Sequence, residues 1–216
     1  MHLYIILLGN YFLFLYYSDL SRNYLNGTIP KQWGSMMNII KIAVPGNRLT
    51  GSIPVEIANL STLQTFELSE NQMFGNIPPE LGNLTQIQRL RFSSNNFTGE
   101  LPATLAKLTT LEDFWIGDNQ FSGKIPDYIQ NWTSINKLVI QGSGLSGPIP
   151  SGISLLTKLT DLVLRNCNIN GMLPENLGNT STFEYLDLSF NKLSGMIPRT
   201  YADINFTYMY EILRKF

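Results

Sequence analysis

Glycine returns every 24 residues without a slip, at Gly27, Gly51, Gly75, Gly99, Gly123, Gly147, Gly171 and Gly195. A proline follows each three residues later, from Pro30 to Pro198. Four residues before each glycine stands Asn23, Asn47, Asn71, Asn95, Asn119, Ser143, Cys167 or Asn191. Seven before it the side chain is always apolar: Leu20, Val44, Leu68, Phe92, Ile116, Ile140, Leu164 and Leu188. Several columns kept in phase over eight periods confine the chain to a stack of like units. A unit this short cannot bury its own apolar face. Each must lean on its neighbours, and the stack grows as a solenoid with one continuous core.

The unit reads L-x-x-L-x-L-x-x-N-x-L-x-G-x-I-P-x-x-L-x-x-L. Its L-x-L segment alternates as a short strand does, with the leucines turned to the core. The asparagine amide offers donors and an acceptor to turn backbone, so stacked units should build an asparagine ladder. Serine at position 143 can still make one of those bonds, and Cys167 is read as structural. Glycine permits the turn that follows, and Ile-Pro holds the next segment extended.

The phrases "LTGSIP" at 49–54 and "LSGPIP" at 145–150 mark a particular subtype. On these residues the chain resembles the plant extracellular leucine-rich-repeat family over about residues 15 to 210. It is most similar to ectodomains of malectin-containing leucine-rich-repeat receptor-like serine/threonine kinases. The resemblance implies an α/β-type repeat solenoid, curved and right-handed, with about eight parallel strands on its concave face. It implies a non-enzymatic recognition module outside the cell, at the plasma membrane in a full-length relative. Its partner would be a peptide, a glycan or a protein, with a co-receptor beside it. Two other readings stay open: a secreted inhibitor of a cell-wall-degrading enzyme, built on the same repeats, and a non-functional truncated gene product. The family's cysteine-paired caps, malectin-like domain, membrane span and kinase are absent from these residues, which fits a fragment.

Net charge is −1, which argues against nucleic acid as the main partner. One His and one Cys are too few for a metal site, for Cys-His catalysis or for an internal disulfide. No cofactor is expected. "GSGLSG" at 142–147 fits G-x-G-x-x-G, but a dinucleotide site needs a helix next. Pro148-Ile149-Pro150 follows instead, and Gly147 is simply the repeat glycine. Acid pairs such as Glu112–Asp113 are adjacent, so on a strand they would point to opposite faces.

Residues 1–17 are strongly apolar, without Lys or Arg. They read as a signal-like segment or anchor, or as a hydrophobic cap on the stack. The repeats occupy 18–216, with an incomplete last unit from about 205. There Tyr210 and Ile212 fall on the two core columns of a ninth strand. Membrane contact would come only through a missing span or the apolar first segment.

The residues flanking the middle leucine of each strand point away from the core and line the inner face. Arg89 and Arg91 therefore share that face with Asp113 and Trp115 of the next unit, Lys137 and Val139 of the following one, and Val163 beyond. Arg beside Trp matches the composition of binding hot spots, and all seven are candidate ligand-binding residues, expected to be exposed together. A solvated face with an Arg91–Trp115 cation–π contact and an Arg89–Asp113 pair is the other reading. The Arg-x-Arg also looks like one that meets a ligand carboxylate in some plant peptide receptors. Seven N-x-[ST] sequons, at Asn26, Asn59, Asn83, Asn96, Asn131, Asn179 and Asn205, are candidate N-glycosylation sites. Four of them share one repeat position on the back of the solenoid: Asn59, Asn83, Asn131 and Asn179.

Overall fold

The computed structural model describes residues 15–179, 182–203 and 208–209. Most of the apolar first segment lies outside these residues, as do Asn205, Tyr210 and Ile212.

Each unit places a three-residue strand in one parallel sheet, as the L-x-L alternation predicts. The strands are Tyr17–Asp19, Lys41–Ala43, Thr65–Glu67, Arg89–Arg91, Asp113–Trp115, Lys137–Val139, Asp161–Val163 and Tyr185–Asp187. A ninth, Tyr208–Met209, completes the edge. Through the first eight the register follows the sequence period: Lys41 opposes Thr65, Thr65 opposes Arg89, and Arg89 opposes Asp113. The ninth strand departs from it. Leu186 opposes Met209, one residue short of the Tyr210 that the period assigns.

After each Ile-Pro or Leu-Pro phrase comes a five-residue 3-10 helix, such as Val55–Asn59, Pro79–Asn83 and Ala103–Lys107. Among the described residues none of the helices is α. Pro30, Pro54, Pro78, Pro102, Pro126 and Pro150 occupy N-caps with φ between −59° and −72°. Proline suits this place because its fixed φ is already extended and no N–H is wasted there. Three smaller parallel sheets form along the glycine-containing segments of the described residues, with breaks between Arg48–Thr50 and Phe74–Asn76 and between Gln120–Phe121 and Ser146–Gly147.

One core runs the length of the stack, and Leu68, Phe92 and Ile116 all belong to it with no exposed surface. Aromatic rings fill its middle. Phe66 meets Phe92 edge-on at 5.5 Å, and Phe114 lies 4.9 Å from Trp132. The Trp132 indole N–H donates to the Leu105 carbonyl, so its polar edge is satisfied inside the core.

The ladder forms. The Asn47, Asn71, Asn95 and Asn119 amides donate to Leu20, Val44, Leu68 and Phe92 carbonyls of the preceding unit at 2.9–3.0 Å. Their oxygens accept from Leu25, Leu49, Met73 and Phe97 N–H at 2.9–3.0 Å. Asn23, at the start, reaches only its own turn, donating to Leu20 and Ser21 carbonyls. Cys167 Sγ keeps the inter-unit link, donating to the Ile140 carbonyl at 2.8 Å, and Asn191 closes the series on Leu164. Ser143 makes one backbone bond, as the sequence allows, accepting from Leu145 N–H at 3.3 Å, and its hydroxyl meets Cys167 Sγ. That backbone bond stays within its own turn. After Asn23, Ser143 is the one rung with no bond of its own to the preceding unit among the described residues.

Candidate functional site

The inner sheet presents two columns of outward side chains, and the register places the predicted residues in them. Arg89, Asp113 and Lys137 follow one another in one column. Arg91, Trp115, Val139 and Val163 follow one another in the next. The fold therefore brings all seven predicted residues onto one face.

Their surroundings differ from the open patch the sequence suggests. The Arg91 guanidinium lies 4.5 Å from the centre of the Trp115 ring, and Arg89 Nε is 3.6 Å from Asp113. Both contacts match the pairing expected from the columns. A diagonal contact adds to them, because Arg91 also reaches Asp113 at 2.5 Å. Glu67 stands 4.0 Å from Arg91 on the other side, and Glu112 3.7 Å from Arg89. Two guanidinium groups are thus held among three carboxylates.

Three expectations need correction. Asp113 is buried rather than exposed, because two long arginine side chains close over a short carboxylate. Val163 is buried too, at 8% exposure. It is a short side chain in register between Val139 and Asp187, with strands about 4.8 Å apart. Glu112 and Asp113 do not oppose one another, since both approach Arg89. Glu112 precedes the strand, so the two-residue alternation does not yet govern it.

Trp115 and Arg91 are half-buried, and they seal one another. Arg91 Nε and Trp115 Nε1 are buried donors with no partner among the described residues. Such a donor costs ~1–3 kcal/mol. Further along the face Lys137 pairs with Asp161 at 3.2 Å, and Arg165 with Asp187 at 3.5 Å. Arg165 stacks 4.6 Å from the Phe190 ring. Sequence reading did not place Glu67, Glu112 or Arg165 among the candidate ligand-binding residues. Their charge opposite a column of the other sign was the available signal.

Asn59, Asn83 and Asn131 end successive 3-10 helices on the side away from the inner sheet, and all are exposed. Asn179 ends another. Asn26 and Asn96 are exposed on the strands of the smaller sheets. Among the described residues no group of three or more His, Cys, Asp or Glu could hold a metal ion, and no helix is long and apolar enough to cross a membrane.

The family described as Leucine Rich Repeat matches residues 62–84, 86–108, 110–132, 158–180 and 182–203, more than half of the chain. The chain belongs to the leucine-rich-repeat family. The interval from 134 to 156, where Ser143 interrupts the ladder, lies between two matched repeats. No curated protein matches the sequence. Among solved structures, the ectodomain of the Arabidopsis thaliana receptor kinase GASSHO1/SCHENGEN3, in complex with CASPARIAN STRIP INTEGRITY FACTOR 2, is similar at 34% identity and TM-score 0.85. That likeness covers 87% of this chain and 23% of that one. The Arabidopsis receptor kinase HAESA, with the peptide hormone IDA and the co-receptor SERK1, is 35% identical at TM-score 0.82, over 86% of this chain and 31% of that one. The plant peptide hormone receptor RGFR1 with RGF2 is 28% identical at TM-score 0.81, over 89% and 35%. This chain spans about a quarter to a third of the length of those solved chains. The fold is that of the plant receptor ectodomains it is similar to.

Proposed function

We propose that this chain is an extracellular recognition module of the receptor-ectodomain type, and that it holds an extended peptide across its inner sheet. The observation that carries this reading is the half-buried Arg91–Trp115 step at the middle of the inner sheet. Trp and Arg in such a setting are the residue types that dominate binding energy. The step is short of acceptors, since two of its buried N–H groups have none. Carbonyl oxygens of an extended chain lying across the strands would supply them once Arg91 moves aside. Val139 continues the apolar strip beside the indole in the same column. The solved ectodomains of HAESA and RGFR1 hold peptide hormones, which supports the same class of ligand here. A co-receptor stands beside the peptide in the HAESA complex, and one is proposed for this module too.

The exposed sequons support an extracellular, glycosylated back with the inner face left clear. Glycans on Asn59, Asn83 and Asn131 would project from the helix side. Secretion from a eukaryotic host, followed by peptide mapping, is expected to find glycan on the three exposed ones.

The test is affinity of the secreted chain for a library of extended synthetic peptides. Trp115→Ala is expected to weaken binding by about 2 kcal/mol or more, as at a hot spot. Because the indole is half-buried under Arg91, the same change should also lower stability by about 1 kcal/mol through the lost cation–π contact. Trp115→Phe keeps a ring in place and should recover most of both. If Trp115→Ala stays folded and binds every wild-type ligand equally well, the inner-face reading fails.

A further inference from the structure

The arginines of the inner face look like an anion site, but their partners are already in place. Each described ion pair in the molecule joins neighbouring units along this face or its rim. Asp113 is the most enclosed member of the central group, with its side chain 10% exposed. Its Oδ2 sits 2.5 Å from Arg91 and 3.6 Å from Arg89. A ligand carboxylate bridging two arginines would take the same position. With Glu67 and Glu112 alongside, the group carries three negative charges against two positive ones. An incoming anion therefore meets no net attraction and would have to displace a buried, doubly paired carboxylate.

Resting on the recognition reading above, we propose that Asp113 is a specificity-determining residue of the inner face. It fills the anion position between Arg89 and Arg91, so the site rejects a peptide's terminal carboxylate and takes internal chain segments, read by neutral carbonyls and the Trp115 ring. Specificity of this kind is set as much by what a site refuses as by what it holds. In the unliganded chain Asp113 and Glu67 hold Arg91 over the indole from two sides.

The test follows the guanidinium Nε–H resonances of Arg89 and Arg91 in the full chain. Arg91 Nε is buried, which slows its exchange and keeps its signal visible. Acetate is the probe, with chloride at matched ionic strength and acetamide as controls. In the wild type, acetate is expected to shift neither resonance more than chloride does. In Asp113→Asn both should shift saturably, with acetate affinity raised by about tenfold or more. Asp113→Ser is the second variant, should Asn fail to fold. Saturable acetate binding at both arginines of the wild type overturns the proposal, and so does its absence in both folded variants. A second arm uses one peptide panel made with free-acid and carboxamide ends. The wild type should bind the two forms within about twofold, and the variant should prefer the acid by about tenfold. A wild-type preference for the acid overturns the proposal. If the wild type binds no peptide in either form, the recognition reading falls and Asp113's role in specificity falls with it, whatever acetate does.

Discussion

A ladder asparagine and a surface asparagine differ only in what their amides reach. Asn71 donates to Val44 and Leu68 carbonyls and accepts from Leu49 N–H, and Asn95 repeats this one unit on. Asn76 is exposed and accepts one bond, from the Thr98 hydroxyl. Alanine at position 71 or 95 strands several turn groups at once. Each change is expected to cost ~1–3 kcal/mol, more than Asn76→Ala. Equal denaturation midpoints for the three variants would dismiss the ladder. Asp19 offers a second test of single-residue chemistry. The Lys41 ammonium at 2.7 Å, with Ser21 hydrogen bonds, holds its carboxyl down at about 2. A folded value below the ordinary one gives a stabilising contribution that is complete above about pH 4 and is lost as pH falls toward 2. The pair is solvent-exposed, so the contribution should stay below about 1 kcal/mol. Carboxyl NMR should place the Asp19 midpoint near 2 and see it rise in Lys41→Met. The sequence told which residues share the inner face, because period two assigns a face to every strand position. It did not tell that Arg91 reaches Asp113 diagonally, or that Glu112 turns toward Arg89. Long side chains span more than one register step, and alternation says nothing of their reach.

Each structural element was legible to a different degree. The strands were read almost residue for residue, since the middle side chains Phe66, Leu90 and Phe114 must face the core and their neighbours must face away from it. The 3-10 helices were not foreseen, because five residues give too short a span for helical periodicity to show. The ninth strand slipped by one against the period, where no glycine or asparagine follows to fix its register. The rung at Ser143 was readable as a departure, and the structure defines its consequence. A serine is too short to reach the preceding unit, so this rung's backbone bond stays within its own turn. Ser143→Asn would restore a donor toward the Ile116 carbonyl and an acceptor toward Phe121 N–H, by analogy with its neighbours. It is expected to stabilise the chain by about 1 kcal/mol, seen as a higher urea midpoint with an unchanged slope. An unchanged or lower midpoint would mean that the turn at 142–144 has closed too tightly for the larger amide.

The whole molecule is a sum of units and the contacts between neighbours, and this makes the period itself open to experiment. Residues 148–171 form one complete 24-residue step from the position after Gly147 to Gly171. Removing them joins Gly147 to Met172 and recreates the G-x-x-P phrase with Leu173 and Pro174. Leu138 would then face Leu186 in place of Leu162, a leucine for a leucine, and Ile153 would give way to Leu177. The shortened chain should keep its core columns in line and unfold cooperatively, with a lower midpoint because one interface is gone. A deletion one residue shorter shifts every later side chain in the inner sheet to the other face. Leu186 and Leu188, now buried, would then turn to solvent, and Asp187, whose partner Arg165 is lost in both deletions, would turn into the core. A buried carboxylate with no partner costs several kcal/mol, and the uncovered leucines add to it. The out-of-phase chain should therefore lose its last units, read as a fall in circular dichroism per residue and as proteolysis after Gly147. Two deletions of nearly equal length with opposite outcomes would show that the 24-residue phase, rather than apolar content, holds the solenoid together. If both fold alike, the stack tolerates slippage and the register between units is looser than the ladder implies.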